Sequence, residues 1–230
     1  MINLKTHFQR DELTFDHATH TYKWAGRPCV SVTTFISRFK QPFHAEEMAA
    51  KKALERGIRT ADVLAEWEQE RARAAAFGTQ VHTLVAQSVA KRFAGQAVTE
   101  VPICLPSHLI AGTVDVIGYC ADGTPVLVDW KTSKRLDVVG YHYMMPPLDN
   151  IFDSNWAHYC LQLSLYAHIL RAAYNFDAKL LVLSNIQHDG TGQRHDVPEY
   201  KTAVQRLLHW RAHELFAMGG GGYDLNTDDT

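Results

Sequence analysis

The segment Gly112 to Lys134, GTVDVIGYCADGTPVLVDWKTSK, carries two aspartates and a lysine, Asp115, Asp129 and Lys131, on two apolar runs separated by Asp122-Gly123. Asp-Gly between such runs is a strong hairpin signal, so a hairpin is expected from about Leu109 to Trp130. Alternation along a strand puts Asp129 and Lys131 on one face and Val126, Val128 and Trp130 on the other, so one apolar face can be buried while the charged groups converge. A carboxylate in so apolar a strand is costly to bury unless it is paired, protonated or metal-bound. Two such carboxylates beside one lysine call for a divalent cation. Their hard oxygens suit Mg²⁺ or Mn²⁺, which can clamp a phosphate, acidify a bound water and neutralise a leaving oxygen. The chemistry expected is metal-assisted phosphodiester hydrolysis, with Lys131 orienting or activating the water. The Asp-x-Lys triplet taken alone is better read as an ion pair on a solvated hairpin edge, so the rest of the chain has to decide.

The pattern Gly112-Thr113-Val114-Asp115 followed by Asp129-Trp130-Lys131-Thr132-Ser133 resembles the PD-(D/E)XK nuclease superfamily, in particular its free-standing RecB-type exonuclease branch. Gly78-Thr79-Gln80-Val81-His82 upstream is similar to the branch's Gly-x-x-x-His motif, and Gln162-Leu163-Ser164-Leu165-Tyr166 downstream to its Gln-x-x-x-Tyr motif. The stretch Tyr22 to Ile36, YKWAGRPCVSVTTFI, is similar to the segment that opens many free-standing members. The resemblance runs from Tyr22 to about Asn185 with the motifs in the branch's order. It implies catalysis by Asp115, Asp129 and Lys131, and a metal held by His82, Asp115, Asp129 and the Trp130 carbonyl. Gln162 and Tyr166, with Thr132, Ser133 and Lys134, are implied to support the site or touch substrate. It further implies an Mg²⁺- or Mn²⁺-dependent DNA exonuclease acting at ends or on single strands in recombination, repair or replication, as in phage and mobile-element enzymes. A single-strand annealing or binding protein is the expected protein partner. Where many relatives carry a Glu one turn after the His, Val85, Ala86 and Gln87 stand here, which argues against a second metal. Two alternatives stay open: a structure-selective endonuclease on the same site, and a non-catalytic DNA-binding protein that keeps the fold.

The residues support part of this independently. Gly78 and His82 share a helix face four residues apart, with Gly78 allowing close approach of another backbone. A lone histidine among 13 is otherwise an ordinary hydrogen-bonded one. Gln162 and Tyr166 lie one turn apart beside the apolar stripe Trp156, Cys160, Leu163, Ala167 and Leu170, where a hydrogen-bonded core pair is the plain reading. Lys134 and Arg135 can touch phosphates or simply be solvated.

The elements that must position these groups are read from periodicity and punctuation. A small hairpin around Trp24 to Arg27 precedes a helical section from Thr33 to about Lys91, divided at Pro42, Gly57 and Gly78. A strand near Val98 to Cys104 leads into the central hairpin, and a long loop from Asp137 to Ser154 follows it as a candidate lid or strand guide. A helix from Asn155 to Ala173, a strand from Lys179 to Asn185, a turn at His188 to Gly190 and a helix from Glu199 to Met218 complete the chain. The fold class expected is α/β or α+β: a central mixed sheet flanked by helices, resembling a restriction-endonuclease-like core with an N-terminal helical extension. One domain is expected over 1–222, with 1–95 as the N-terminal part, 96–218 as the catalytic core and 219–230 as a flexible tail.

At 230 residues and 46% hydrophobic content the chain can bury a full core. No apolar run is long enough to cross a membrane and the first residues lack a signal-peptide pattern, so a cytoplasmic protein is expected. The four cysteines are scattered, which excludes a grouped iron–sulfur site and suggests ordinary thiols. A net charge of −2 argues against tight nonspecific DNA binding. Basic residues nonetheless cluster at Arg71 and Arg73, Lys91 and Arg92, and Lys131, Lys134 and Arg135, so weak, salt-sensitive binding in a confined groove is expected. Oligomeric state is not legible.

Overall fold

The structure is a computed structural model that describes residues 3–93 and 95–219; of the tail expected from 219 onward, all but Gly219 lies outside these residues. From the N-terminus a one-turn helix α1 (Leu4–His7) leads into the strands β1 (Leu13–Asp16), β2 (Thr21–Trp24) and β3 (Arg27–Ser31). The helices α2 (Val32–Ser37), α3 (Ala45–Arg56) and α4 (Thr60–Arg92) follow. Next come β4 (Ala97–Leu105), β5 (Ile110–Tyr119) and β6 (Pro125–Lys131), then α5 (Asn155–Tyr174), β7 (Leu180–Ile186), β8 (Gly192–Asp196) and α6 (Lys201–Ala217).

The Asp122-Gly123 turn forms where the sequence places it. Gly123 takes φ 85°, a value that favours glycine, and β5 folds back antiparallel on β6. The β-rich segments join in one mixed sheet of eight strands, ordered β1-β2-β3-β5-β6-β7-β8, with β4 added on β5. β4 lines one edge of β5 along its whole length, from Leu105↔Ile110 to Ala97↔Gly118. The other edge is therefore shared: β3 pairs parallel with it at Ile110 and Ala111, and β6 pairs antiparallel with it from Val116 to Tyr119. Between those two pairings, at residues 112–115, the sheet forks.

β6 and β7 run parallel, joined by α5 as a crossover helix. Ser154 caps α5 by accepting the Ala157 N–H at 3.2 Å, and Asn175 ends it in the left-handed region at φ 51°. Twelve of its side chains are buried, because the helix lies between β4, β6 and β7 on one side and α2 and α6 on the other. The main core joins Leu163, Leu165 and Ile169 of α5 to Ile103, Ile110, Ile117, Leu127 and Leu183 of the sheet and to Phe35, Ile36 and Phe39.

Several expectations are corrected. Gly78 does not divide the helical section: α4 runs unbroken through it for 33 residues. The N-terminal hairpin is a three-stranded meander, and the His188 to Gly190 turn opens a further strand, β8, whose alternation is too polar to stand out in the sequence. The burial of β6 is not one-sided: Leu127 and Asp129 lie deep, Trp130 is buried as expected, and Val126 and Val128 are only half-buried. The 137–154 loop is anchored, because Met144 and Leu148 enter the core, Met145 N–H bonds Phe39 O at 2.7 Å, and Tyr143 stacks on Phe152. Tyr141 in the same loop is fully exposed.

Candidate active site

The fork in the sheet is where the chemistry-bearing residues meet. Asp115 is the last residue of β5 before pairing with β6 resumes at Val116↔Val128. Its Oδ2 accepts the Trp130 N–H at 2.7 Å, so a side-chain carboxylate substitutes for a strand carbonyl where the two strands part. Its Oδ1 stands 3.6 Å from His82 Nδ1 on α4, and Glu100 Oε1 from β4 stands 3.9 Å from the same nitrogen. These three ligand atoms lie within 4.8 Å of one another.

Asp129 lies deeper, at 2% exposure. Its Oδ2 is 2.6 Å from Lys131 Nζ, an ion pair set off the angle of a proper hydrogen bond, and its Oδ1 accepts from Gln162 Nε2 at 2.9 Å. Gln162 also reaches Tyr166 OH at a long 3.4 Å. Tyr166 in turn presses on Gly112, where a Cβ would stand 2.7 Å from the Tyr166 ring. The glycine three residues before Asp115 is thus required by the approach of a helix side chain. Lys131 is held from the other side by the Tyr159 ring, 5.1 Å from Nζ to the centroid.

The electrostatics follow from burial and like charge. Burial, and then the neighbouring Asp129, push the Asp115 carboxyl up to about 7, against His82, Lys131 and the Trp130 N–H. Burial opposes the charge on Lys131, but Asp129 and Asp115 outweigh it and hold the ammonium above its usual value. His82 is raised as well, by Glu100 foremost, with burial opposing and Asp115 assisting. At 3.9 Å the Glu100 interaction is a charge contact rather than a hydrogen bond. Burial first, then Asp129, raises the Tyr166 hydroxyl well above its ordinary range, so it stays protonated while it accepts from Gln162 Nε2. Three carboxylates, the buried Asp115 and Asp129 and the exposed Glu100, thus meet Lys131 and the half-buried His82 in one place. One nitrogen and several hard oxygens converging there form a donor set suited to a divalent ion.

Of the residues the sequence singles out, His82 and Asp115 meet directly, and Asp129, Lys131, Gln162 and Tyr166 form one connected chain beside them. The Trp130 backbone lies at the fork through its N–H. Thr132 packs against α4, where a Cβ on Gly78 would be 3.5 Å from its Oγ1, an ordinary contact rather than a forced close approach. Ser133 ties β6 to its neighbours: its N–H bonds Asn185 Oδ1, its carbonyl accepts from Asn185 and Gln187, and its hydroxyl bonds Tyr159 OH at 2.6 Å. Lys134 pairs with Glu70 of α4, and Arg135 with Asp137 at 2.9 Å. Arg71 likewise pairs with Glu68, so much of the basic clustering seen in the sequence is locally neutralised.

Sequence reading missed Glu100, Tyr159 and Asn185. Tyr159 had a signal, since it stands three and seven residues before Gln162 and Tyr166 on one helix row. A lone charged residue in the apolar run at 97–105 was the sign of Glu100. Asn185 gave none.

No family model and no curated protein matches the chain. Among solved structures, it is similar to the crystal structure of SSO0001 at 18% identity, with 81% of this chain and 76% of that chain covered and a TM-score of 0.43. It is also similar to a structure described as "putative exonuclease" from Eubacterium rectale at 12% identity, with 87% and 86% covered and a TM-score of 0.38. Among the described residues no helix is long and apolar enough to cross a membrane.

Proposed function

We propose that the chain is an Mg²⁺- or Mn²⁺-dependent deoxyribonuclease, an exonuclease hydrolysing phosphodiester bonds at DNA ends or in single strands. The observation that carries this reading is the convergence at one fork of Asp115, Asp129, Lys131 and His82 from three different elements. Asp115, Asp129, His82 and the Trp130 carbonyl would hold the ion. What a hard divalent ion supplies when bound is charge neutralisation at the phosphate and a water acidic enough to attack. The chain's own residues do the positioning. Asp129 fixes the Lys131 ammonium in place, and the Tyr159 ring limits its swing, so the ammonium can orient a water or meet a phosphate oxygen. Gln162 keeps one Asp129 oxygen engaged, and Tyr166 backs Gln162 from a protonated hydroxyl. Lys134, Arg135 and Arg71 stand in exposed ion pairs that are weak enough for a DNA phosphate to displace.

The test sets end-labelled linear DNA beside covalently closed circles, each with Mg²⁺, Mn²⁺ or chelator, using the wild type and Lys131→Ala. The expected outcome is metal-dependent loss of the linear substrate alone, reduced about a hundredfold or more in the variant. Cutting of circles would shift the reading to an endonuclease. No cleavage with any metal would leave a DNA-binding module.

A further inference from the structure

We propose that Glu100 is a further metal ligand, which joins His82 and Asp115 on the α4 side of the fork. The inference rests on the metal-dependent reading above and adds to it a residue that none of the motifs contains. Glu100 stands on β4 directly across from Asp115, between the pairings Thr99↔Val116 and Val101↔Val114. Its backbone leaves the strand conformation there for φ 52°, a region in which a glutamate pays a conformational cost, and its carboxylate arrives beside His82 Nδ1.

What points to an ion is the pattern of separations. His82 Nδ1 is 3.6 Å from Asp115 Oδ1 and 3.9 Å from Glu100 Oε1, too far for hydrogen bonds in both cases. Ligand atoms that each stand about 2.0–2.2 Å from a common ion are separated by about 3–4 Å, and both separations from His82 Nδ1 fall in that range. Asp115, nine-tenths buried, spends its Oδ2 on the Trp130 N–H and turns Oδ1 into this gap. A buried carboxylate oxygen, a half-buried imidazole and a second carboxylate therefore face one another without bonding one another. Asp129 approaches from the deeper side, with Oδ1 accepting from Gln162 and Oδ2 ion-paired to Lys131 but without a hydrogen-bond partner. Glu100 supplies from a strand the carboxylate that helix positions Val85 to Gln87 lack.

The experiment is calorimetric titration of the full chain with Mn²⁺ alone, without DNA, for the wild type, Glu100→Gln, Glu100→Gly and Asp115→Asn. Thermal melts without metal check that each variant folds. Glu100→Gln keeps the size of the side chain, and Glu100→Gly suits the positive φ, so the two variants perturb the fold in different ways. The expected result is Mn²⁺ affinity lowered about tenfold or more in both Glu100 variants, at least the loss seen when residues behind a ligand are removed. Wild-type affinity in a folded Glu100 variant, with affinity lost in Asp115→Asn, overturns the role of Glu100 and leaves the nuclease reading standing. Absence of Mn²⁺ binding by the wild type removes both.

Discussion

At the scale of single residues, the protonation of Asp115 is the property with the widest consequences. Its carboxyl titrates near 7 in the folded, metal-free chain, whereas an unfolded aspartate loses its proton at about pH 4. Between those values the native state binds more protons than the unfolded state, so stability falls as pH rises through the window. The raised His82 acts in the same sense, because the stability it adds while protonated disappears as pH climbs past its folded pKa. Urea unfolding of the metal-free protein is therefore expected to show lower stability at pH 8 than at pH 5, with Asp115→Asn flattening the difference. A wild type that is equally stable or more stable at pH 8 would contradict the assigned burial of Asp115. Mn²⁺ should reverse the trend, since it binds the ionised carboxylate and stabilises only the native state. Asp115 and Asp129 were legible because alternation around an Asp-Gly turn fixes which residues are neighbours. Glu100 was not, because its role depends on one residue leaving the β region, and no local pattern announces that.

At the scale of elements, two glycines that look alike as motif positions behave oppositely. Gly112 belongs to β5 and lies under Tyr166 of α5, so an added Cβ would fall 2.7 Å from a buried ring that cannot swing away into solvent. Gly112→Ala is expected to cost about 1–3 kcal/mol by overpacking. It should also lower activity, because displacing Tyr166 disturbs Gln162 and, through it, Asp129. Combining it with Tyr166→Leu should cost less than the sum of the single changes, as residues in direct contact couple. Gly78 sits inside the uninterrupted α4, where the nearest atom to a Cβ is Thr132 Oγ1 at an ordinary 3.5 Å. Gly78→Ala is thus expected to stabilise by roughly 0.5–1 kcal/mol through helix propensity, with a rise in Tm of roughly 1–3 °C. If Gly78→Ala proved the more damaging of the two, α4 would have to lie closer to β6 than the structure places it. The sequence marks both positions as glycine but not which one is crowded, because crowding is set by a helix about fifty residues away in one case and by a loop about as distant in the other.

At the scale of the whole molecule, the residues on either side of 95 share one sheet. β3 pairs with β5 at the same edge that β6 uses further along, so the N-terminal meander is part of the sheet that forms the fork. Leu4, Phe8, Val32, Phe35, Ile36 and Phe39 are all buried in one core with Ile103, Ile110 and Leu161. Removing residues 1–95 would expose the surface that these six side chains cover. At about 1.5–3 kcal/mol for each buried side chain, the loss is of order 10 kcal/mol, comparable with the whole stability of an ordinary domain. It would also remove His82, and with it one of the three groups that face each other at the fork. A fragment spanning 96–219 is therefore expected not to fold alone, and the full chain to unfold in one cooperative transition reported alike by tryptophan fluorescence and circular dichroism. Trp24 and Trp67 report on the N-terminal part, Trp130, Trp156 and Trp210 on the rest. A fragment with native-like circular dichroism and a sharp melt, or two separated transitions in the full chain, would show that the fork survives without β3, and that the sheet across residue 95 is a junction rather than a shared core.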